Sequence, residues 1–234
     1  ISVAGSLAFP DLERSAVELS QGAINSAMSW FVPLNRNVLR QTKVERDDVR
    51  HFLSAGRDQY DVIIGDVFHP DLAGSSSLLS VQQFQRVRNR LSENGLFVQW
   101  LALNQFDNKS LNVIFNSFRL AFPDAQIFLD GMHLALVGPR QKFMGAQGLL
   151  HNLQRMPLGQ QDEVTAGEGG WTWLGRYWGP LSTSQEQVQD EWSPVIEFRL
   201  PRARYAGELD VAKLLQVLLK TRPKMEAAAN LLGI

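Results

Sequence analysis

Between Tyr60 and Leu103 the spacing of apolar positions changes character twice. Val62-Ile63-Ile64 is a short β-branched run that stops at Gly65-Asp66. A buried parallel strand that delivers a carboxylate to the rim of a sheet has this pattern. In open α/β sheets ligands bind outside the carboxyl ends of the strands, so Asp66 is the first candidate for chemistry. Ala73-Gly74-Ser75-Ser76-Ser77 reads as a loop, and Ser80-Val81-Gln82-Gln83 resembles a capping box. The helix it starts places Val81, Phe84, Val87 and Leu91 on one face, and Asn94-Gly95 is expected to close it. Leu96 to Leu103 reads as a strand. Ser110 to Phe122 is expected to be a helix that turns Leu111, Ile114, Phe115, Phe118 and Phe122 inward. Asp130-Gly131 marks a hairpin between strands at Gln126–Leu129 and His133–Val137.

Upstream, Ile1 to Phe9 is small and apolar and suits a helix. Ser15 to Leu19 predicts a strand ending in Glu18, and Ser20 is placed to cap a helix over Gln21–Phe31. Val38 to Val44 alternates and predicts another strand. Asp47-Asp48 is expected to turn the chain into a short helix through Leu53. Residues 1–138 therefore alternate helix and strand and finish in a hairpin, which predicts an α/β, doubly wound, mostly parallel sheet with an antiparallel edge. Beyond Pro139 the pattern decays. Residues 158–170 read as a loop, Trp171, Trp173 and Trp178 cluster as a hydrophobic plug or lid, and Pro194–Phe198 reads as a strand. Helices are expected over Ala212–Leu219 and from Lys224. The expected division is a domain over 1–140 and a C-terminal extension over 141–234 that packs on it.

Composition narrows the function classes. The chain has 234 residues, 44% hydrophobic and 20% charged, with a formal net charge of -1. That size suits one domain plus an appendage. The balance offers no basic surplus for nucleic acid. Zero cysteines exclude disulfides, thiolate metal sites and cysteine nucleophiles. The four histidines, at 51, 69, 133 and 151, show no metal-ligand spacing, so no metal is expected. No apolar run approaches the roughly 18–20 residues of a membrane span. The sequence opens on Ile1, which reads as a piece of a longer polypeptide with no signal peptide.

The succession Val17-Glu18-Leu19, Asp48-Val49-Arg50, Tyr60 to Asp66 and Gly95-Leu96-Phe97-Val98-Gln99-Trp100 resembles the spermidine synthase family of polyamine aminopropyltransferases. It is most similar to the subgroup fused behind a multi-spanning membrane domain. That subgroup favours Asp-x-Phe-His-Pro, as in Asp66 to Pro70, and Pro-x-x-Glu-Phe-Arg-x-Pro-Arg, as in Pro194 to Arg202. The resemblance implies a Rossmann-like sheet of the class I methyltransferase type. It implies decarboxylated S-adenosylmethionine as co-substrate, a small-molecule amine as acceptor, and a cytoplasmic location, tethered where a membrane domain precedes the chain. It leaves room for a homodimer.

At the matching positions Glu18, with Leu19, would accept the ribose hydroxyls, and Asp48 with the Val49 amide would hold the adenine. The bland alternatives are a surface acid at a strand end and a helix N-cap, the latter shared with neighbouring Asp47. Asp66 matches the catalytic aspartate, which accepts a proton from, or positions, the amine that displaces methylthioadenosine. A charged amine is no nucleophile, so this reaction needs a carboxylate base, while the activated sulfonium leaves much of the rate to positioning.

The pattern also departs from the family. The acid that helps hold a diamine is replaced by His69, which stands either as a substrate contact or as a loop residue, and Asp71 is a guess at partial compensation. Gln99 matches a pocket glutamine or is a strand residue at the rim. The Tyr and Glu expected within Leu79 to Phe84 are missing, and Glu191 replaces an Asp in the segment Gln189–Pro194. The family's glycine-rich turn and first strand would stand before Ile1, and without that strand two halves of a sheet keep unpaired edges. Two other readings stay open: an S-adenosylmethionine-dependent methyltransferase, and a catalytically silent module that senses a nucleoside or a polyamine.

Overall fold

The computed structural model describes residues 6–9, 11–66, 69–142, 175–182 and 187–232. Val67, Phe68, residues 158–170, Trp171 and Trp173 lie outside them. The chain forms two compact units, Ile1–Asp58 and Gln59–Ile234.

In the first unit, β1 (Ser15–Glu18) and β2 (Lys43–Arg46) pair in parallel, with Glu18 opposite Arg46. Their carboxyl ends therefore share one rim. Helix α1 (Gln21–Ser29) starts at Ser20, whose Oγ accepts from the Ala23 N–H at 3.2 Å. A one-turn helix α2 (Val32–Asn35) follows. Helix α3 (Val49–Ala55) starts at Asp48. Two expectations are corrected here. The described part of Ile1–Phe9 is a 3₁₀ turn at Ser6–Ala8. Val38–Val44 is not one strand: Val38–Gln41 is a 3₁₀ turn and the strand begins at Lys43. Asn37 in the left-handed region forces that turn, and local backbone geometry overrides the alternation.

The second unit is built on a mixed sheet ordered β3-β4-β6-β5-β7. Its strands are β3 (Tyr60–Asp66), β4 (Leu91–Ala102), β5 (Gln126–Asp130), β6 (His133–Pro139) and β7 (Tyr177–Pro180). The β3/β4 pair is parallel and the other three pairings are antiparallel. The antiparallel share exceeds what the helix–strand alternation predicts because β7, from beyond residue 140, adds itself to the hairpin. Trp178 lies in that edge strand with the Arg222 guanidinium 5.3 Å from its ring centre.

Among the described residues β3 pairs only with β4, so its other edge is open. Val62 is 56% exposed and Ile64 46%. The expected burial of this run is therefore corrected: an apolar β-branched run requires cover, and no described strand supplies it. β4 also starts earlier than the spacing suggests. From Tyr60↔Leu91 to Val62↔Leu96 the partner strand advances five residues for two, a bulge that absorbs Asn94-Gly95. A Cβ on Gly95 would stand 2.9 Å from the Tyr60 carbonyl, which is why glycine sits there.

Helices α4 (Val81–Asn89) and α5 (Asn108–Ala121) pack together and bury the aromatic core. Phe118 is fully buried, with ring centres of Phe122, Phe84 and Phe97 at 4.9, 5.0 and 5.6 Å. Helices α6 (Ile196–Tyr205), α7 (Val211–Thr221) and α8 (Met225–Leu232) complete the unit. Pro194–Phe198, expected as a strand, enters α6 instead. The Gln189 carboxamide oxygen accepts the Val195 and Ile196 N–H groups at 2.9 and 3.0 Å, and this cap outweighs β-propensity.

Asp107 joins α5 to α6. It accepts the Ser110 N–H at 3.1 Å as N-cap and the Arg199 guanidinium at 2.5 and 3.1 Å. Burial pushes the Asp107 carboxyl up, but the bonds from Arg199 and Ser110 outweigh burial and hold it below its usual 3.8. A depressed folded value means the stabilisation is present above the unfolded pKa and is lost as pH falls through the folded one. Arg199→Gln should therefore cost about 2 kcal/mol at pH 6, and the cost should shrink as the pH approaches 3. Urea midpoints of the variant and the unchanged protein at the two pH values check this.

Candidate functional site

The sequence-predicted residues fall into two groups. Glu18, Leu19, Asp48 and Val49 belong to the first unit, and Asp66, His69 and Gln99 to the second.

In the first unit the acids gather at the carboxyl rim of β1 and β2. Glu18 ends β1 and is exposed, and its Oε1 accepts the Ser20 N–H at 2.8 Å. That bond aims the carboxylate along the start of α1. Leu19 beside it is 66% exposed. Two residues past β2, Asp48 caps α3 by accepting the Arg50 N–H at 2.8 Å. The Arg50 guanidinium reaches the same carboxylate at 2.6 Å and holds it below the usual carboxylate range. The capping role is thus observed, and Val49 opens the helix behind it. Asp47, the confusable neighbour, accepts the Asp48 N–H at 2.8 Å and lies 2.7 Å from His51 Nδ1. That contact raises the His51 pKa.

In the second unit Asp66 ends β3, exposed, opposite Trp100 in register. Gln99 is 2% exposed, and its Nε2 donates to the Gly65 and Trp100 carbonyls at 3.1 and 3.0 Å. The carboxamide thus ties the last step of β3 to β4 directly under Asp66. A Cβ on Gly65 would meet Gln99 Oε1 at 2.6 Å, so a side chain there would displace the carboxamide from these bonds.

His69 has φ +57, in the left-handed region that non-glycine residues rarely occupy. Its side chain is exposed, and Nδ1 lies 3.8 Å from Asp71 Oδ1. Asp71 is nearly buried and its Oδ2 pairs with Arg204 at 2.8 Å, so a cation already answers its charge. Sequence reasoning did not find Arg204, nor Glu197 and Gln189, which hold the same loop. The motifs Pro194–Arg202 and Gln189–Pro194 contain Glu197 and Gln189 without giving them this role, and no motif reaches Arg204. Glu191 pairs with Arg86 of α4. Among the described residues no three His, Asp or Glu side chains gather as a metal ion would need. No described helix is long and apolar enough to cross a membrane.

No protein-family description and no curated protein matches this chain by sequence. Solved structures do resemble it. A probable spermidine synthase from Corynebacterium glutamicum is 17% identical, with a TM-score of 0.55 over 80% of this chain and 66% of its own. A spermidine synthase in complex with the transition-state analogue AdoDATO is 15% identical, with a TM-score of 0.51 over 89% of this chain and 63% of its own. Human methyltransferase-like protein 13, in complex with SAH, is 20% identical, with a TM-score of 0.53 over 73% and 78%. The chain thus spans about two thirds of the length of the two synthases. At these identities the likeness establishes architecture: this chain has the α/β, Rossmann-like fold of class I methyltransferases and spermidine synthases, with a mixed sheet.

Proposed function

We propose that the chain is a transferase of the spermidine synthase type, which moves an aminopropyl group from decarboxylated S-adenosylmethionine to a small-molecule amine. One observation carries the reading: each parallel strand pair of this fold ends in an exposed acid, Glu18 on β1 and Asp66 on β3. Glu18 is suited to accept two ribose hydroxyls, since one of its oxygens is fixed by Ser20. Asp48 is assigned to an exocyclic amine beside the Val49 amide, a bond it would accept in addition to those from the Arg50 N–H and guanidinium. Asp66 takes the proton of the acceptor ammonium. The freed amine attacks the carbon beside the sulfonium, the C–S bond breaks, and the electron pair leaves with the sulfur of methylthioadenosine.

One observation favours a second reading, S-adenosylmethionine-dependent methyl transfer. In the described part of the loop after β3 the one carboxylate, Asp71, is already paired with the Arg204 guanidinium, which opposes its holding a second ammonium. A methyl acceptor needs no such group. Mass spectrometry of an amine panel with each donor separates the two: products heavier by an aminopropyl group support the first reading, and methylated products overturn it. Glu18→Gln should weaken methylthioadenosine binding about tenfold or more, the loss of a charge-assisted bond. An unchanged dissociation constant in calorimetry would remove Glu18 from the nucleoside site.

A further inference from the structure

The loop from His69 to Leu79 leaves β3 just after Asp66 and bends through two left-handed positions, His69 at φ +57 and Gly74 at φ +82. A glycine adopts such a conformation freely. A histidine does so at a cost, and the surroundings must hold it there.

Helix α6 supplies that hold at both ends. In its first turn Glu197 Oε2 accepts the Gly74 N–H at 3.1 Å and the Ser76 hydroxyl at 3.3 Å. In its last turn Arg204 binds Asp71 Oδ2 at 2.8 Å. The two residues are seven apart, so they lie two turns along one face, about 10 Å from each other. Gln189 adds a link, donating to Ser76 Oγ at 3.1 Å while it caps α6. Asp71 Oδ1 is buried with no hydrogen-bond partner among the described residues, and it faces His69 Nδ1 at 3.8 Å. A buried carboxylate oxygen without a donor is costly, so its position beside an exposed imidazole requires that Arg204 fix the other oxygen.

We propose that α6 is the brace of this loop, and that Arg204 and Glu197 are positioning residues that set how His69 is presented to the acceptor. The positioning role rests on the transferase reading, and the brace on geometry alone.

Arg204→Gln and Glu197→Gln in the whole protein test it. Amide exchange in peptides spanning 69–79 should accelerate about tenfold or more, and by a larger factor than in peptides of β4 and β6. The imidazole NMR signal of His69, assigned through His69→Gln, should shift or broaden, and Arg204→Lys should restore most of it. Unchanged exchange and a superimposable imidazole signal in both variants would overturn the brace. Where putrescine or n-butylamine is turned over, the acceptor KM should rise while the methylthioadenosine Kd stays within twofold. A parallel rise of both would overturn the positioning role. If the unchanged protein binds no methylthioadenosine, the transferase reading fails, and exchange with the imidazole signal still decides the brace.

Discussion

Asp66→Asn should leave the chain folded and lower transfer about 10²- to 10⁴-fold, the range for loss of a positioned general base. The substitution is nearly isosteric and the side chain is exposed at the end of β3. The strand end is held by the Gln99 carboxamide and the Trp100 register rather than by the carboxylate. The unfolding midpoint should therefore move by less than about 0.5 kcal/mol. Turnover should collapse because an alkylamine with a pKa near 10 is almost wholly protonated at pH 7, and an asparagine cannot take its proton. Methylthioadenosine affinity should stay within about twofold, since Asp66 is assigned to the acceptor and not to the nucleoside. Mass spectrometry of the product measures the first effect and calorimetry the second. Turnover equal to that of the unchanged protein would remove Asp66 from the mechanism.

Phe118→Ala should have the largest effect on stability, about 3–5 kcal/mol, or about 10 °C in Tm for a chain of this length. Phe118 is fully buried among three other rings, from α4, β4 and the end of α5. Close packing leaves those rings little room to collapse into the vacated volume. Gly138 shows how tight the cluster is, because a Cβ there would overlap the Phe122 ring. Trp192→Ala is the control: that side chain is 88% exposed and its loss should cost under about 0.5 kcal/mol. Equal thermal shifts for the two variants would show that the aromatic cluster is not the core.

Periodicity made the inner face of α5 legible, because residues three and four apart in sequence are neighbours in space. Leu111, Ile114, Phe115, Phe118 and Phe122 are all buried as that spacing predicts. The caps at Ser20, Asp48 and Ser80 were legible for the same local reason. Asp66 stands at the end of its strand because a Gly-acid step ends an apolar run. What the spacing could not show are contacts outside its period. Pro194–Phe198 reads as a strand until the Gln189 side chain, six residues upstream, caps its amides, and Asp71 and Arg204 meet across more than a hundred residues. The exposure of Val62 and Ile64 depends on which strands flank β3, and no run of residues encodes that about itself.

The transferase proposal stands on Glu18 at the end of β1 holding a sulfonium nucleoside while Asp66 at the end of β3 serves the acceptor. Isothermal titration of the protein with methylthioadenosine tests it most directly. Binding should be saturable and one-to-one, weaken about tenfold or more in Glu18→Gln and persist in Asp66→Asn. No heat from the folded protein, with either methylthioadenosine or S-adenosylhomocysteine, would contradict both transferase readings.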